Sequence, residues 1–204
     1  MISPRAASPI ALDKLLILAS ESPRRLQLLA QVGIVPDRVL PAEIDESVVR
    51  GEQPRAHALR LATEKARRVQ SEWNGAPAFI LAADTVVACG RRILPKAGDD
   101  DQVRSCLALL SGRRHQVMTA VALIAPDGRL RTRLAQTRVS MLRLTAMQVN
   151  AYVESREGVG KAGGYAIQGR AEAFVKEISG SYSNVVGLPL ALTVALLAGA
   201  GHAV

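Results

Sequence analysis

Asp84 is the residue whose surroundings most clearly require a chemical explanation. It lies within residues 79–87, where every other position except Thr85 is apolar. A carboxylate buried in such a run is strongly destabilising unless a metal ion or a cation compensates it. This position favours a metal ligand or a general base at a cleft. The alternative is a carboxylate in a structural ion pair.

Lys65 is a second charged residue on an otherwise apolar surface. In the helix predicted to begin at Pro54, it shares one face with Leu61, Ala62 and Val69 at helical spacing. The functional interpretation is an ammonium group directed at an anion. The alternative is a lysine whose aliphatic stem covers the edge of the apolar face while its ammonium reaches solvent.

Lysine is rare among the basic residues of this chain. Lys and Arg together number 26, and most of these are arginines. A compact, strongly hydrated ammonium suits a polyphosphate, whereas arginine favours planar bidentate contacts. Each lysine in so arginine-rich a chain therefore needs an explanation. The lysines are Lys14, Lys65, Lys96, Lys161 and Lys176.

Ser20, Arg24 and Arg25 lie between the end of a predicted strand and the start of a predicted helix. Free backbone N–H groups at a helix start, together with two guanidinium groups, suit a bound anion. The alternative is that Ser20 or Glu21 caps the helix while the arginines are solvated.

Several further polar residues give weaker signals. Glu43, Asp45 and Glu46 could coordinate a hard cation, although a solvated acidic loop is the commoner outcome. His57 and His115 have no Ser or Cys in a recognisable nucleophile motif, so we interpret both as structural.

These residues are carried by strands and helices that hydrophobic periodicity and turn residues predict. The pattern predicts strands at 15–19, 39–40, 78–89, 93–94, 116–125, 129–144 and 173–178. It predicts helices at 23–32, 54–73, 102–110 and 147–154, a glycine-rich loop at 158–169, and a final helix that Pro189 opens. This mixture indicates an α/β fold.

Composition narrows the class of protein. The 204 residues are 49% hydrophobic with a net charge of +8, which indicates a folded core and anionic partners. Aromatic residues are only 3%, which disfavours a stacking type of nucleic-acid binder. Cys89 and Cys106 lack metal-ligand spacing, and we expect two buried thiols in a reducing compartment. Residues 1–14 have no signal-peptide pattern and the longest apolar run, 188–201, is short for a membrane span, so we expect a soluble cytoplasmic protein.

Eight colinear segments of the chain together resemble the Maf family of nucleotide pyrophosphatases. They fall in order along almost the whole chain, with only the first dozen residues outside, and together they are far more specific than any single motif. The segments are residues 15–29, IDE at 44–46, RLATEKA at 60–66, LAADTVV at 81–87, Lys96, LSGRRHQVMTAVAL at 110–123, GKAGGYAIQG at 160–169 and SGSYSNVVGLPL at 179–190.

The resemblance implies one domain over residues 1–204, of which residues 1–14 form an N-terminal extension. It implies a Maf or ITPase-like α/β fold: a long, bent mixed β-sheet flanked by helices, with a cleft between two lobes. It also implies hydrolysis of a nucleoside triphosphate to the monophosphate and pyrophosphate, with Mg²⁺ or Mn²⁺ as cofactor. Asp84, Glu46, Lys65 and Lys96 match catalytic positions, and Glu46 and Asp84 match the metal ligands. The matching substrate-binding positions are Ser20, Arg24, Arg25, Thr85 and Gln168.

Within the family, Arg24, Thr85 and Gln168 are similar to the members that act on dTTP and UTP. Relatives that act on methylated guanine nucleotides carry a carboxylate where Gln168 stands, and that activity is the alternative. The resemblance also leaves open a nucleotide- or nucleic-acid-binding role in cell division, and assembly as a homodimer. The family usually has proline after the lysine at 96, so Ala97 predicts a less rigid loop.

Overall fold

The computed structural model describes residues 14–203, and the predicted extension at 1–14 therefore lies almost wholly outside the described residues. Its strands are β1 (Leu16–Ala19), β2 (Arg38–Val39), β3 (Phe79–Cys89), β4 (Arg92–Leu94), β5 (Arg114–Ile124), β6 (Leu130–Met141) and β7 (Val175–Ser179). Its α-helices are α1 (Pro23–Gln31), α2 (Pro54–Glu72), α3 (Asp100–Leu110), α4 (Ala146–Glu154), α5 (Tyr182–Val186) and α6 (Leu190–Gly199). The predicted α/β class is confirmed.

One seven-stranded mixed sheet organises these elements. Its order is β2-β1-β3-β5-β6-β7, and β4 forms a hairpin with the far end of β3. Strand β1 is parallel to β2 and β3, whereas the pairs from β3 to β7 are antiparallel. Because β3 is long and apolar, it pairs with β1, β4 and β5 and lies at the centre of the fold.

Side chains of β3 alternate between two apolar layers. Leu81, Ala83 and Val87 belong to the core that includes residues of α1, α3 and α6, whereas Ala82 and Val86 belong to the core formed with α2. Successive side chains of a strand point to opposite faces. Position 84 is therefore on the α2 side, and position 85 is on the opposite side.

Helix α2 presents a small-residue face to this strand. Ala58, Ala62, Ala66 and Val69 are all buried against the sheet. Pro54 opens the helix, where its missing N–H costs nothing. Small side chains allow the helix to approach the sheet closely, so a lysine on the same face is brought directly against β3.

The last third of the chain departs from the sequence prediction. The predicted strand at 173–178 begins later, because Arg170–Phe174 forms a 3₁₀ turn that directs Phe174 onto Tyr152 in the core. Helix α5 was not predicted, since a five-residue helix has too short a pattern to detect.

The two cysteines differ in burial. The prediction that both are buried is wrong for Cys89, which is half-buried at the end of β3 beside an exposed turn, whereas Cys106 is buried and both thiols are free. Among the described residues, no helix combines the length and apolar character needed to cross a membrane.

Candidate active site

A cleft of about 790 Å³ opens at the end of β1 and along β3. Its wall includes residues from α1, α2, β3, the β4 hairpin and the glycine-rich loop at 158–169. Glu43 and Asp45 do not line it, whereas all of the residues that match catalytic or substrate-binding positions do: Ser20, Arg24, Arg25, Glu46, Lys65, Asp84, Thr85, Lys96 and Gln168. Residues far apart in the sequence are thus brought to one cavity.

The centre of the cleft is a contact of one ammonium with two carboxylates. Lys65 Nζ lies 2.6 Å from Asp84 Oδ1 and 2.6 Å from Glu46 Oε1. Lys65 and Asp84 are buried, whereas the Glu46 side chain is 46% exposed. The sequence leaves two alternatives for Asp84, a functional carboxylate at a cleft and a partner in an ion pair. In the structure Asp84 is both. The ammonium compensates the buried carboxylate, and the cavity gives it access to a ligand.

Glu46 remains an anion in this setting. Its partial burial acts to raise the pKa, but the hydrogen bond and charge of Lys65, with smaller effects of Lys96 and Arg25, lower it overall. The loop that carries Glu46 therefore presents a charged carboxylate at the mouth of the cleft.

Glu52 connects the loop that carries Glu46 to helix α2. Its carboxylate accepts a hydrogen bond from Arg60 Nε at 2.8 Å and contacts His57 Nδ1 at 2.8 Å. Arg60 also donates to the carbonyl oxygen of Ser47 at 2.9 Å, next to Glu46. The hydrogen bonds of Arg60 lower the pKa of Glu52 to about 2, against the opposing effect of burial. The same helix thus holds both the Glu46 loop and Lys65.

Arg25 is buried and is bonded to the protein on three sides. Its guanidinium donates to the Gly187 carbonyl at 2.9 Å, to Ser20 Oγ at 2.9 Å and to Thr85 Oγ1 at 3.3 Å. Burial lowers its pKa, which the charge of Asp84 partly offsets. Arg25 therefore joins the end of β1, strand β3 and the loop after α5 beneath the cleft, and it positions Ser20 and Thr85.

Arg24, Lys96 and Lys161 form a second, cationic part of the wall, and Lys96 also lies close enough to Glu46 to help lower its pKa. Burial lowers the pKa of Arg24, and its buried Nε has no hydrogen-bond partner among residues 14–203. Burial also lowers the pKa of Lys161, with further contributions from Arg24 and Lys96. Sequence reasoning counted Lys161 among the rare lysines but did not assign it to the site. We name these three residues the cationic end of the cleft.

Gln168 lies at the rim with its side chain exposed. Its amide makes no hydrogen bond with other described residues, so both of its polar atoms remain able to pair with a ligand. The preceding residues Tyr165, Ala166 and Ile167 are buried and fix the start of this segment.

A buried histidine anchors the glycine-rich loop. His115 Nε2 lies 2.7 Å from the Tyr165 hydroxyl, and the rings meet edge to face. Burial lowers the pKa of His115 from 6.5 to about 4 and raises that of Tyr165. The expectation that His115 is structural agrees with these contacts.

The pH dependence of stability should reveal this buried imidazole. Between pH 6.5 and about 4 the unfolded chain binds a proton at His115 that the folded chain does not. The free energy of unfolding should therefore fall as the pH decreases through this window, by up to about 1.4 kcal/mol per pH unit. His115→Gln keeps a partner for Tyr165 and should make this slope shallower in urea titrations. His202→Gln is the control, and an equal slope in wild type and His115→Gln would contradict the assignment.

No group of three or more His, Cys, Asp or Glu side chains suitable for a metal occurs in the described part of the chain. Two carboxylates, Glu46 and Asp84, nevertheless converge on one point, the Lys65 ammonium. Magnesium is commonly bound by one or two carboxylates together with substrate phosphates and water. The donor set therefore fits a divalent cation that arrives with a polyphosphate.

Comparison with known proteins identifies the family of the chain. The chain matches the Maf-like protein family over residues 15–200. It is 57% identical over 190 residues to the dTTP/UTP pyrophosphatase of Mesorhizobium japonicum, and the aligned region covers 91% of this chain and 91% of that relative. It is 59% identical over 187 residues to the dTTP/UTP pyrophosphatase of Caulobacter vibrioides, which covers 92% of this chain and 96% of that relative.

Solved structures give a weaker likeness. A nucleoside-triphosphatase (dITP/XTP pyrophosphatase) from Mycobacterium abscessus superposes with a TM-score of 0.41 and 23% identity, over 64% of this chain and 74% of that chain. An overlap at this level is too low to identify a family. The family match, by contrast, spans nearly all of the described residues, and the two relatives share more than half of their residues with this protein over most of their length. The chain therefore belongs to the Maf family.

Proposed function

We propose that this protein hydrolyses dTTP and UTP to the nucleoside monophosphate and pyrophosphate. The observation that carries the proposal is the Glu46–Lys65–Asp84 contact beside the cationic end of one cleft. The curated relatives, named dTTP/UTP pyrophosphatase and alignable over most of both chains, support the same activity.

The charges of the cleft suit a triphosphate. Arg24, Lys96 and Lys161 can neutralise phosphate oxygens, and Lys65 lies where the two carboxylates meet. Phosphoryl transfer depends mainly on positioning and on electrostatic stabilisation of spread negative charge. Such a reaction needs no covalent nucleophile from the protein.

Asp84 is the proposed general base. Lys65 engages Oδ1, which leaves Oδ2 to accept a proton from a water molecule in the cleft. The water oxygen then bonds to the α-phosphorus, while the bond from that phosphorus to its bridging oxygen breaks. Pyrophosphate leaves with the bonding electron pair, and the cationic end of the cleft stabilises its charge.

Glu46 and Asp84 would hold the divalent cation. When bound, Mg²⁺ or Mn²⁺ supplies charge neutralisation at the phosphate oxygens. Lys65 keeps both carboxylates close together before the nucleotide arrives, because their mutual repulsion is offset by its ammonium.

Gln168 is the proposed reader of the base. Uracil and thymine present an N3–H donor beside the O4 acceptor, and one side-chain amide can accept from the first and donate to the second. A carboxylate accepts from N3–H but repels O4. Thr85 lines the same cleft and contributes to the proposed recognition surface, whereas Arg24 belongs to the cationic end and is assigned to the phosphates.

Gln168→Glu should therefore weaken the hydrolysis of dTTP and UTP by roughly 1 to 3 kcal/mol in kcat/KM. Guanine nucleotides should lose less, since adjacent N1–H and N2–H donors suit a carboxylate. The measurement is kcat/KM for UTP and for a methylated GTP, with the exposed Gln136→Glu as control. If the ratio of the two values is unchanged, Gln168 only shapes the loop.

A nucleotide panel with pyrophosphate detection tests the proposed function. We expect dTTP and UTP to be the preferred substrates in the presence of Mg²⁺ or Mn²⁺, with pyrophosphate as the direct product. Orthophosphate as the direct product would overturn the proposed bond cleavage. Faster turnover of methylated guanine nucleotides would overturn the proposed base preference.

A further inference from the structure

We propose that Lys161 is a substrate-binding residue that contacts the β- and γ-phosphates and the departing pyrophosphate. The inference rests on the proposed function, because it assigns a further residue to the same cleft. Lys161 lines that cleft, and it is the lysine of the glycine-rich loop.

The backbone holds Lys161 next to Lys96. An isolated β-bridge pairs Lys96 with Ala162. On one side of it the Ala97 N–H donates to the Lys161 carbonyl at 3.0 Å, and the Gly160 N–H donates to the Ala97 carbonyl at 2.7 Å. Two segments more than 60 residues apart in the sequence are therefore locked in register, and both lysines belong to one rigid strip of cleft wall.

Ala97 contributes a bond that proline could not make. Proline has no backbone N–H, so the hydrogen bond from position 97 to Lys161 depends on the residue found here. Alanine at position 97, which predicted a less rigid loop, thus adds a direct hydrogen bond between the two segments that carry Lys96 and Lys161.

Two glycines allow the glycine-rich loop to pack closely against the sheet and against α3. A Cβ on Gly163 would lie 2.8 Å from Val87 Cγ1, and one on Gly164 would lie 2.9 Å from Cys106 Cβ. Both glycines also have positive φ, +69° and +68°, which other residues rarely adopt. Larger residues would therefore push the loop outward, and Lys161 with it.

The positive charges around Lys161 favour the binding of an anion. Within residues 14–203 no carboxylate lies within 4.0 Å of its ammonium, whereas Lys65 has two. Lys161 Nζ donates only to the Val159 carbonyl, at 3.3 Å, while Lys96 and Arg24 act on it with like charge. Holding three cations together is unfavourable without a counter-charge, and a highly charged anionic ligand removes that cost.

Pyrophosphate is the part of the substrate that fits this end. The carboxylates lie at the Lys65 end, where the proposed attack on the α-phosphorus occurs. The β- and γ-phosphates carry most of the negative charge, and they must extend away from those carboxylates. The cationic end, where Arg24 Nε has no hydrogen-bond partner among residues 14–203, offers them donors.

Equilibrium binding of inorganic pyrophosphate tests the assignment without any turnover. In calorimetric titrations, Lys161→Gln should weaken pyrophosphate binding by about 10- to 100-fold, as expected for the loss of a hydrogen bond to a charged group. UMP binding should change less than about twofold, because UMP lacks the two terminal phosphates. Lys161→Arg keeps the positive charge and should restore most of the affinity.

The controls distinguish a specific role of Lys161 from a general effect of positive charge. They also distinguish a failure of this proposal from a failure of the proposed function. Lys176→Gln removes an exposed lysine on β7 and should leave pyrophosphate binding unchanged. Equal losses for UMP and pyrophosphate, or an unchanged pyrophosphate affinity in folded Lys161→Gln, would overturn the role of Lys161. Failure to hydrolyse any nucleotide would instead overturn the proposed function, since pyrophosphate binding is measured separately. Thermal unfolding of each variant verifies that the comparison is between folded proteins.

Discussion

Asp84→Asn is expected to lower kcat by about 10²- to 10⁴-fold, the contribution typical of a general base. The amide keeps the shape of the carboxylate and can still accept a hydrogen bond from Lys65, but it cannot take a proton from water. KM should change less than kcat, because the cationic end of the cleft remains intact. Steady-state kinetics with UTP and pyrophosphate detection measures both parameters.

Asp101→Asn is the matched control, since Asp101 is exposed on α3 away from the cleft lining. If Asp84 served only as an internal ion-pair partner, Asp84→Asn would lower the free energy of unfolding by about 3 to 5 kcal/mol and leave kcat near wild type. That combination of results would remove Asp84 from the reaction.

Lys65→Met should damage both folding and turnover. The methionine keeps an unbranched stem on the α2 face but leaves two carboxylates, which shared one ammonium at 2.6 Å each, to repel one another. We expect a loss of about 3 kcal/mol in the free energy of unfolding at pH 7, the lower end for a broken buried pair because Glu46 is half-exposed. Turnover should fall by about 10²- to 10³-fold.

The stability loss of Lys65→Met should shrink in acid. Without the ammonium the two carboxylates repel one another in the folded state, and acid relieves this repulsion as the pH falls. Urea unfolding at several pH values measures this, and Lys176→Met is the control for loss of one positive charge. A deficit that stays constant from pH 7 to pH 4 would show that packing and not charge is responsible.

The sequence identified Asp84 and Lys65 because each placed a charge on an apolar pattern. Periodicity of 2 along β3 and of 3.6 along α2 specified which side of each element the charges occupy. Periodicity could not show that each is the partner of the other, since that depends on how α2 docks on the sheet. The small residues Ala58, Ala62 and Ala66 decide the docking, and their effect is a tertiary one.

Arg25 and Lys161 show two features that sequence patterns could not predict. The sequence of the Ser20–Arg25 segment suggests an anion site, and the structure places these residues in the cleft wall. The bond from Arg25 to the Gly187 carbonyl joins residues 162 apart and cannot be inferred from local pattern. Lys161 resembles a solvated loop lysine in the sequence. Its position depends on the bridge between Lys96 and Ala162, which has no signature in either segment.

Neighbouring residues of β3 face opposite sides of one strand, and this separates Asp84, the proposed general base, from Thr85, a proposed specificity residue. Asp84 meets α2 at Lys65, whereas Thr85 meets Arg25 and Thr119. A substitution at Thr85 therefore repacks against another set of neighbours and leaves the carboxylate in place. The proposed roles therefore predict that Thr85 and Gln168 can vary together while turnover is retained, and a small combinatorial library at these two positions tests this separation of functions.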